Sequence, residues 1–146
     1  MISADNRVLV VNGYEGIGIP LKGQHMESPS TLRALMEEVV KFRDARDWKQ
    51  FHNAKDLAIA LSIESAELLE LFLWQDADAV DHVTKSNTGR QRLSEELADI
   101  LIFVLYLSHE SGIDLVQAVE QKLKINDAKY PVAKSYGVSK KYTELE

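Results

Sequence analysis

Apolar residues spaced three or four positions apart constrain this chain more than any other feature of its sequence. The spacing begins with Leu32, Leu35 and Val39, and similar patterns recur as far as Ile125. Such a pattern covers one face of a helix that has 3.6 residues per turn. The sequence therefore predicts an all-α fold over residues 28–146, built as a bundle of four helices.

Short polar residues, glycine and proline mark the ends of these predicted helices. A capping side chain followed by proline, or by a polar residue three positions later, is typical of a helix start. The predicted starts are Ser28-Pro29, Asn53, Thr88 and Asp114, and the predicted ends are near Asp47, near Gln75, at Gly112 and before Pro131. The polar stretch Asp76–Gly89 predicts a loop, and residues 132–146 predict an extended tail.

Two features extend this picture beyond a single bundle. The second and third predicted helices are apolar on more than one face, so we expect a second subunit to cover part of them. Residues 1–27 hold four of the seven glycines and the β-like run Arg7–Val11. They predict an extended N-terminal arm, or alternatively a segment added by cloning, with Met26 as the natural start.

Composition excludes several classes of protein. The chain has no cysteine, so it has no disulfide framework, thiolate zinc site or cysteine nucleophile, which agrees with a reducing cytoplasm. Its net charge of −6 makes it a poor candidate for binding nucleic acid directly. The longest apolar run, Ile100 to Leu107, has eight residues. A transmembrane helix needs about 20, so no membrane span is expected.

Four acidic residues lie where a helical bundle should be apolar. Glu64 and Glu67 are three positions apart on the second predicted helix, and Glu64 follows Leu61 by three positions in the apolar stripe. Glu96 and Asp99 repeat this arrangement on the third predicted helix. If the two helices pack face to face, four carboxylates converge in a partly buried site.

Converging carboxylates repel one another, and burial adds a desolvation cost. They can be protonated, paired with cations such as Lys55, Arg92 and Lys122, or bound to a hard metal ion. Two acid pairs on successive helices favour the metal. Neither pair belongs to a Glu-x-x-His motif, and ligands that are all carboxylates indicate Mg²⁺ or Mn²⁺. Such an ion would let an acidic protein bind an anionic phosphate.

The arrangement of these acids resembles that of a known family. Glu64-x-x-Glu67 followed by Glu96-x-x-Asp99 is similar to the signature of the MazG-like all-α nucleoside triphosphate pyrophosphohydrolases. Further matches to the subgroup that includes dCTP pyrophosphatases are Arg46–His52, Phe72–Trp74, Lys122-x-x-x-Asn126-x-x-x-Tyr130-Pro131 and Lys141–Leu145. The resemblance covers roughly residues 30–145.

The resemblance implies Mg²⁺-dependent hydrolysis of (deoxy)nucleoside triphosphates, in particular dCTP-like pyrimidine nucleotides, to the monophosphate and pyrophosphate. It assigns Mg²⁺ to Glu64, Glu67, Glu96 and Asp99, and it implies a homodimer or homotetramer. The substrate contacts that it implies are Trp48, His52, Trp74, Lys122, Asn126 and Tyr130. Phe103 also belongs to this predicted site, at a position where tyrosine is expected, and the missing hydroxyl is expected to alter base or sugar selectivity.

Two alternatives remain open at the level of sequence. The chain can be a non-catalytic helical dimerisation or adaptor module that retains the acid pairs. It can also be a hydrolase of another phosphoanhydride, such as a nucleoside diphosphate, which would release orthophosphate instead of pyrophosphate.

Overall fold

The computed structural model describes residues 31–145, and every regular element in this range is helical. The helices are α1 (Leu32–Asp44), α2 (Ala54–Glu70), α3 (Ala77–Lys85), α4 (Asn87–Ser111), α5 (Leu115–Lys129) and α6 (Val132–Ser135), with short 3₁₀ helices at Trp48–Phe51 and Tyr142–Glu144. The predicted all-α fold is therefore confirmed. The predicted β-like run and the Ser28-Pro29 helix start lie outside the described residues; α1 begins at Leu32, after its cap Thr31.

Side-chain caps place the starts of α2 and α5 where the sequence predicts them. The side chain of Asn53 accepts a hydrogen bond from the backbone N–H of Asp56, and that of Asp114 accepts one from Gln117, each at 3.0 Å. Each bond satisfies an N–H that the first turn of a helix leaves unpaired. Gly112 ends α4 with φ 64°, a left-handed conformation that glycine adopts without strain.

The predicted loop over Asp76–Gly89 is wrong, because most of this stretch forms α3. The side chain of Asp76 caps the helix by accepting a hydrogen bond from the backbone N–H of Ala79 at 2.9 Å. Val80 and Val83 are half-buried, and α3 packs against α4. A helix this short is stabilised mainly by such packing, which a polar sequence pattern conceals.

Three predicted boundaries also differ from the structure. Ser86, not Thr88, caps α4, because its Oγ accepts a hydrogen bond from the backbone N–H of Gly89 at 3.0 Å. The second helix ends at Glu70 and passes into turns before reaching Gln75. The tail is not wholly extended, since it contains α6 and a short 3₁₀ helix.

Helix α4 lies at the centre of the described fold and packs against α1, α2 and α3. The buried core consists of Val39, Leu57, Phe103, Leu105 and Tyr106. Helices α2 and α4 run antiparallel, since the residues near the start of α2 meet the C-terminal half of α4 and those near its end meet the N-terminal half. This packing brings the predicted acidic pairs to one interface.

Helix α5 occupies its predicted position but makes at most slight contacts with the other described helices. Its side chains Val116, Val119 and Leu123 share one face and are each more than half exposed. Ile59 and Ile63 on α2 are also about half exposed. Within residues 31–145, no helix combines the length and the apolar composition needed to cross a bilayer.

Candidate metal centre

Three of the four predicted acids converge between α2 and α4. Glu64, Glu96 and Asp99 each offer a carboxylate oxygen, and these three oxygens lie within 4.8 Å of one another. Glu64 is buried, with only 8% of its surface exposed, and Glu96 is half-buried. A single ion could therefore contact all three carboxylates.

The convergence follows from helix geometry. Glu96 and Asp99 share a face of α4 because they are three positions apart, and antiparallel packing presents Glu64 of α2 to that face. Glu67 is outside the group of three but close to it. Burial raises the pKa of the Asp99 carboxyl, and the negative charges of Glu67 and Glu95 raise this pKa further.

The composition of this group suits a hard cation. Its ligand atoms are carboxylate oxygens, which Mg²⁺, Mn²⁺ and Ca²⁺ prefer. A cation would also relieve the unfavourable ionisation of Asp99, since an opposite charge lowers a carboxyl pKa. Of the cations considered from the sequence, Lys55 instead pairs with its neighbour Asp56, at 3.1 Å from Nζ to Oδ1. The group can therefore hold a metal ion.

His52 lies beside α4 at a distance from the acids. It ends the 3₁₀ helix before α2, and its ring packs edge-on against Tyr106 at 4.7 Å between centroids. Burial lowers the pKa of His52, and the positive charge of Arg43 lowers it further, while Glu110 and Asp44 act in the opposite sense. The imidazole is therefore held in its neutral form.

The two tryptophans occupy different environments. Trp48 is half-buried, and its ring packs against Phe42 at 5.9 Å between centroids. The Arg46 guanidinium lies 3.6 Å above the Phe42 ring and 5.7 Å from that of Trp48, so it supports this aromatic pair. Trp74 is 94% exposed and has φ 59°, in the turns that follow α2. The described residues leave the Trp74 ring free for a ligand or a second subunit.

The remaining predicted residues divide between the core and α5 with its C-cap, Tyr130. Phe103 is 5% exposed and lies in the core, one helical turn beyond Asp99. Lys122 is exposed and Asn126 half-buried, while the ring of Tyr130 packs against Tyr142 at 6.0 Å between centroids. Because α5 makes at most slight contacts with α2 and α4, one chain alone does not pack these three against the acids.

Sequence reasoning missed two residues that organise this region, Arg43 and Tyr106. Arg43 is fully buried, and its Nη1 donates a hydrogen bond to Oε1 of Glu110 at 2.5 Å. Tyr106 is 4% exposed, and its hydroxyl donates to the backbone oxygen of Val39 at 3.0 Å. Arg43 follows Val39 by four positions, so its place on the apolar face of α1 was the available signal.

A comparison with protein families covers the part of the chain that contains most of these residues. Residues 59–145 match the model of the MazG-like family. This segment contains all four acids, Trp74, Phe103, Lys122, Asn126 and Tyr130. Trp48 and His52 precede it.

The chain is also similar to individual pyrophosphatases, in sequence and in fold. The chain is 40% identical over 118 residues to dCTP pyrophosphatase 1 of Bos taurus, covering 81% of this chain and 70% of that protein. It is 38% identical over 124 residues to dCTP pyrophosphatase 1 of Homo sapiens, covering 84% and 73%. The crystal structure of a pyrophosphatase from Archaeoglobus fulgidus superposes with a TM-score of 0.63 at 39% identity, over 68% of this chain and 92% of that one.

Proposed function

Because the chain belongs to the MazG-like family, we propose that it is a nucleoside triphosphate pyrophosphohydrolase that acts on dCTP-like pyrimidine nucleotides. The reaction gives the nucleoside monophosphate and pyrophosphate. The observation that carries the proposal is the convergence of Glu64, Glu96 and Asp99 in a chain with dCTP pyrophosphatases among its relatives. An acidic centre is what an enzyme needs to bind a triphosphate through a divalent cation.

The residues suit Mg²⁺, with Mn²⁺ as a second candidate. Glu64, Glu67, Glu96 and Asp99 would hold the metal. When bound, it supplies positive charge that stabilises the phosphate oxygens and lowers the pKa of water. The raised pKa of Asp99 supports this assignment: burial is its first cause, and the negative charges of Glu67 and Glu95, which a bound cation would offset, raise it further.

The proposed hydrolysis is a displacement at the α-phosphorus, with water as the nucleophile and pyrophosphate as the leaving group. A water oxygen forms a bond to the α-phosphorus while the bond from that phosphorus to the α,β-bridging oxygen breaks. Pyrophosphate leaves with the electron pair of the broken bond, and one of the four carboxylates accepts the proton that the water loses. We propose that Lys122 contacts the triphosphate, where its ammonium group would stabilise the departing charge.

We propose that the substrate contacts come from more than one copy of the chain, in a homodimer or homotetramer. In this assembly α5 and its C-cap, with Lys122, Asn126 and Tyr130, complete a site with α2 and α4. The exposed apolar face of α5 and its slight contacts within one chain support this assembly. Trp48, Trp74 and His52 would contact the base or sugar. We place the reaction in the cytoplasm, which the cysteine-free composition supports.

A substrate panel tests the proposal. Purified protein with Mg²⁺ is assayed for pyrophosphate on dCTP, 5-methyl-dCTP, dTTP, dUTP, the purine deoxynucleotides and CTP, with EDTA as the control. We expect pyrophosphate release to be greatest with the cytosine deoxynucleotides and to stop in EDTA. Release of orthophosphate from nucleoside diphosphates instead would indicate a different phosphoanhydride hydrolase. No product from any nucleotide, together with a melting temperature insensitive to Mg²⁺, would indicate a non-catalytic module.

A further inference from the structure

Arg43 near the end of α1 is a fully buried cation to which the proposed reaction gives no role. Besides its bond to Glu110, its Nε donates a hydrogen bond to Oδ1 of Asp44 at 2.8 Å. Burying a charge is costly unless hydrogen bonds and opposite charges surround it. These two carboxylates fix the guanidinium in place, joining the end of α1 to the end of α4.

His52 is held against the same aromatic ring as this cation. Its ring centroid lies 4.7 Å from that of Tyr106, and the Cζ atom of Arg43 lies 5.7 Å from the Tyr106 centroid. The Tyr106 hydroxyl is in turn fixed by its hydrogen bond to Val39. The positions of Arg43 and His52 are therefore coupled through one anchored ring.

Two nitrogen atoms in this group are buried without a hydrogen-bond partner among the described residues, Nη2 of Arg43 and Nδ1 of His52. A neutral imidazole carries a proton on one nitrogen and a lone pair on the other. A lone pair on Nδ1 is favoured over an N–H there, because the N–H would be a buried donor without an acceptor, in an imidazole on which the positive charge of Arg43 already acts. The proton is then on Nε2.

His52 also lies on the side of α4 that carries the acids. Tyr106 is seven positions after Asp99, which is two turns, or about 10 Å, along the same face of the helix. A nucleoside triphosphate held at the carboxylates is long enough to reach a side chain at this distance.

We propose that Arg43 is a positioning residue for His52: anchored on Asp44 and Glu110, it holds the imidazole neutral with its proton on Nε2, ready to donate a hydrogen bond to an oxygen of the nucleotide. The second half of this inference rests on the proposed function. The charged groups that act on His52 are Arg43 and Asp44 from α1 and Glu110 from α4. Burial lowers the pKa of His52 first and Arg43 lowers it further, whereas Glu110 and Asp44 raise it.

Histidine NMR tests the role of Arg43 without any nucleotide. In protein labelled with ¹⁵N and ¹³C at histidine, we expect neutral His52 to carry its proton on Nε2. Arg43→Met should raise the pKa of His52, because a positive charge is lost, and Arg43→Lys should return it toward the wild-type value. Arg33→Met is the control, since Arg33 is exposed and pairs with Glu37. A His52 pKa that is the same in wild type, R43M and R43K, or a proton on Nδ1, would overturn the inference.

Glu110→Gln gives a second variant in case Arg43→Met does not fold. Its side chain is 22% exposed, so its replacement disturbs the core less than loss of the fully buried guanidinium. Removal of this negative charge should lower the pKa of His52, opposite to the effect of R43M. A rise in this pKa, or no change, would contradict the electrostatic link.

Kinetics of two His52 variants test the hydrogen bond to the nucleotide. The amide nitrogen of glutamine reaches about as far as Nε2, whereas that of asparagine reaches only as far as Nδ1. We expect His52→Asn to raise KM for dCTP roughly tenfold with little change in kcat, the loss of one hydrogen bond. His52→Gln should recover most of this loss. Equal KM values in wild type, H52N and H52Q would overturn this contact.

The two proposals fail in different ways. If wild-type protein releases no pyrophosphate, the proposed function is wrong, and the NMR result still decides whether Arg43 controls His52. If wild-type protein is active and His52 is unaffected by R43M and E110Q, only the role of Arg43 is wrong.

Discussion

A carboxylate oxygen of Glu64 on α2 lies within 4.8 Å of a carboxylate oxygen of Asp99 on α4. At an effective dielectric constant of about 20, two negative charges at this distance repel by roughly 3 kcal/mol. Glu96 belongs to the same group, so a third charge adds to this repulsion. Without a cation, this repulsion therefore offsets part of the stabilisation that α2 and α4 gain from their apolar contacts.

Neutralising Asp99 is expected to stabilise the metal-free protein at neutral pH. Because burial and the neighbouring acids raise the pKa of Asp99 above its ordinary value of 3.8, the folded state binds this proton more tightly than the unfolded state does. Ionisation of Asp99 therefore lowers the free energy of unfolding. This loss is absent below pH 3.8 and develops as pH rises through the higher pKa of the folded protein. In EDTA, Asp99→Asn should raise the melting temperature at neutral pH but not near pH 3.

Asp127→Asn is the matched control, because it also removes one negative charge, but from an exposed position on α5. Its melting temperature should follow that of the wild type at both pH values. An Asp99→Asn protein that is less stable than wild type in EDTA at neutral pH would contradict the electrostatic reading of the site.

Mg²⁺ is expected to raise the melting temperature of the wild type, since a ligand that binds only the folded state stabilises it. At a hundredfold excess over the dissociation constant this stabilisation is about 2.7 kcal/mol, or several degrees for a domain of this length. Glu64→Gln should abolish most of the rise, whereas Glu70→Gln, at the exposed end of the same helix, should retain it. Thermal unfolding at constant ionic strength, with K⁺ replacing Mg²⁺, measures the difference. Equal shifts in both variants would place the metal elsewhere.

Glu96→Gln tests the same group through turnover. It removes the charge of one carboxylate without changing the size of the side chain. If that charge helps to hold a catalytic metal, about 3 kcal/mol of transition-state stabilisation is lost, which is roughly a hundredfold decrease in kcat for dCTP hydrolysis. Glu70→Gln should retain wild-type kcat, and circular dichroism should show both variants folded. Retention of full activity by Glu96→Gln would remove Glu96 from the proposed site.

The helices were predictable because their signals are local. A capping side chain and the N–H that it binds are three positions apart, as at Asn53 and Asp114, and Gly112 meets a conformational requirement at one residue. Helix α3 was missed because its half-buried apolar side chains are few, and its stability depends on contact with α4. The local sequence of α3 does not reveal that contact.

The candidate site was predictable to a similar extent. Acids placed three positions apart within apolar stripes indicated four side chains, because two packed helices must bury those stripes together; three of them converge, and Glu67 lies outside the group. The group formed by Arg43, Glu110, Tyr106 and His52 was not predicted. Arg43 and Glu110 are separated by 67 positions, and no regular spacing relates residues of two different helices. Their pairing follows only from the packing of α1 on α4.

Gly89 provides a test of how α3 is fixed on α4. A Cβ atom at this position would lie 2.5 Å from the backbone oxygen of Val83 and 2.7 Å from that of His82. Gly89→Ala must therefore push the two helices apart, and we expect a loss of about 1–3 kcal/mol in the free energy of unfolding. Thr88→Ala, at an exposed neighbouring position, should change it by less than about 0.5 kcal/mol. Chemical denaturation measures both values, and equal stability of the two variants would show that the helices can separate without cost.

The apolar face of α5 makes the oligomer testable. Leu123 is 61% exposed and Val119 is 55% exposed, on a helix that the described chain barely contacts. If a second copy covers this face, Leu123→Glu places a charge in an apolar interface, and we expect the protein to become monomeric in size-exclusion chromatography with light scattering. Lys124→Glu puts the same charge about 100° around the helix and should leave the molar mass unchanged. Pyrophosphate release should fall with the loss of the oligomer, because the proposed site takes Lys122, Asn126 and Tyr130 from a second copy of the chain. A monomeric variant with full activity would show instead that each chain builds a complete site by itself.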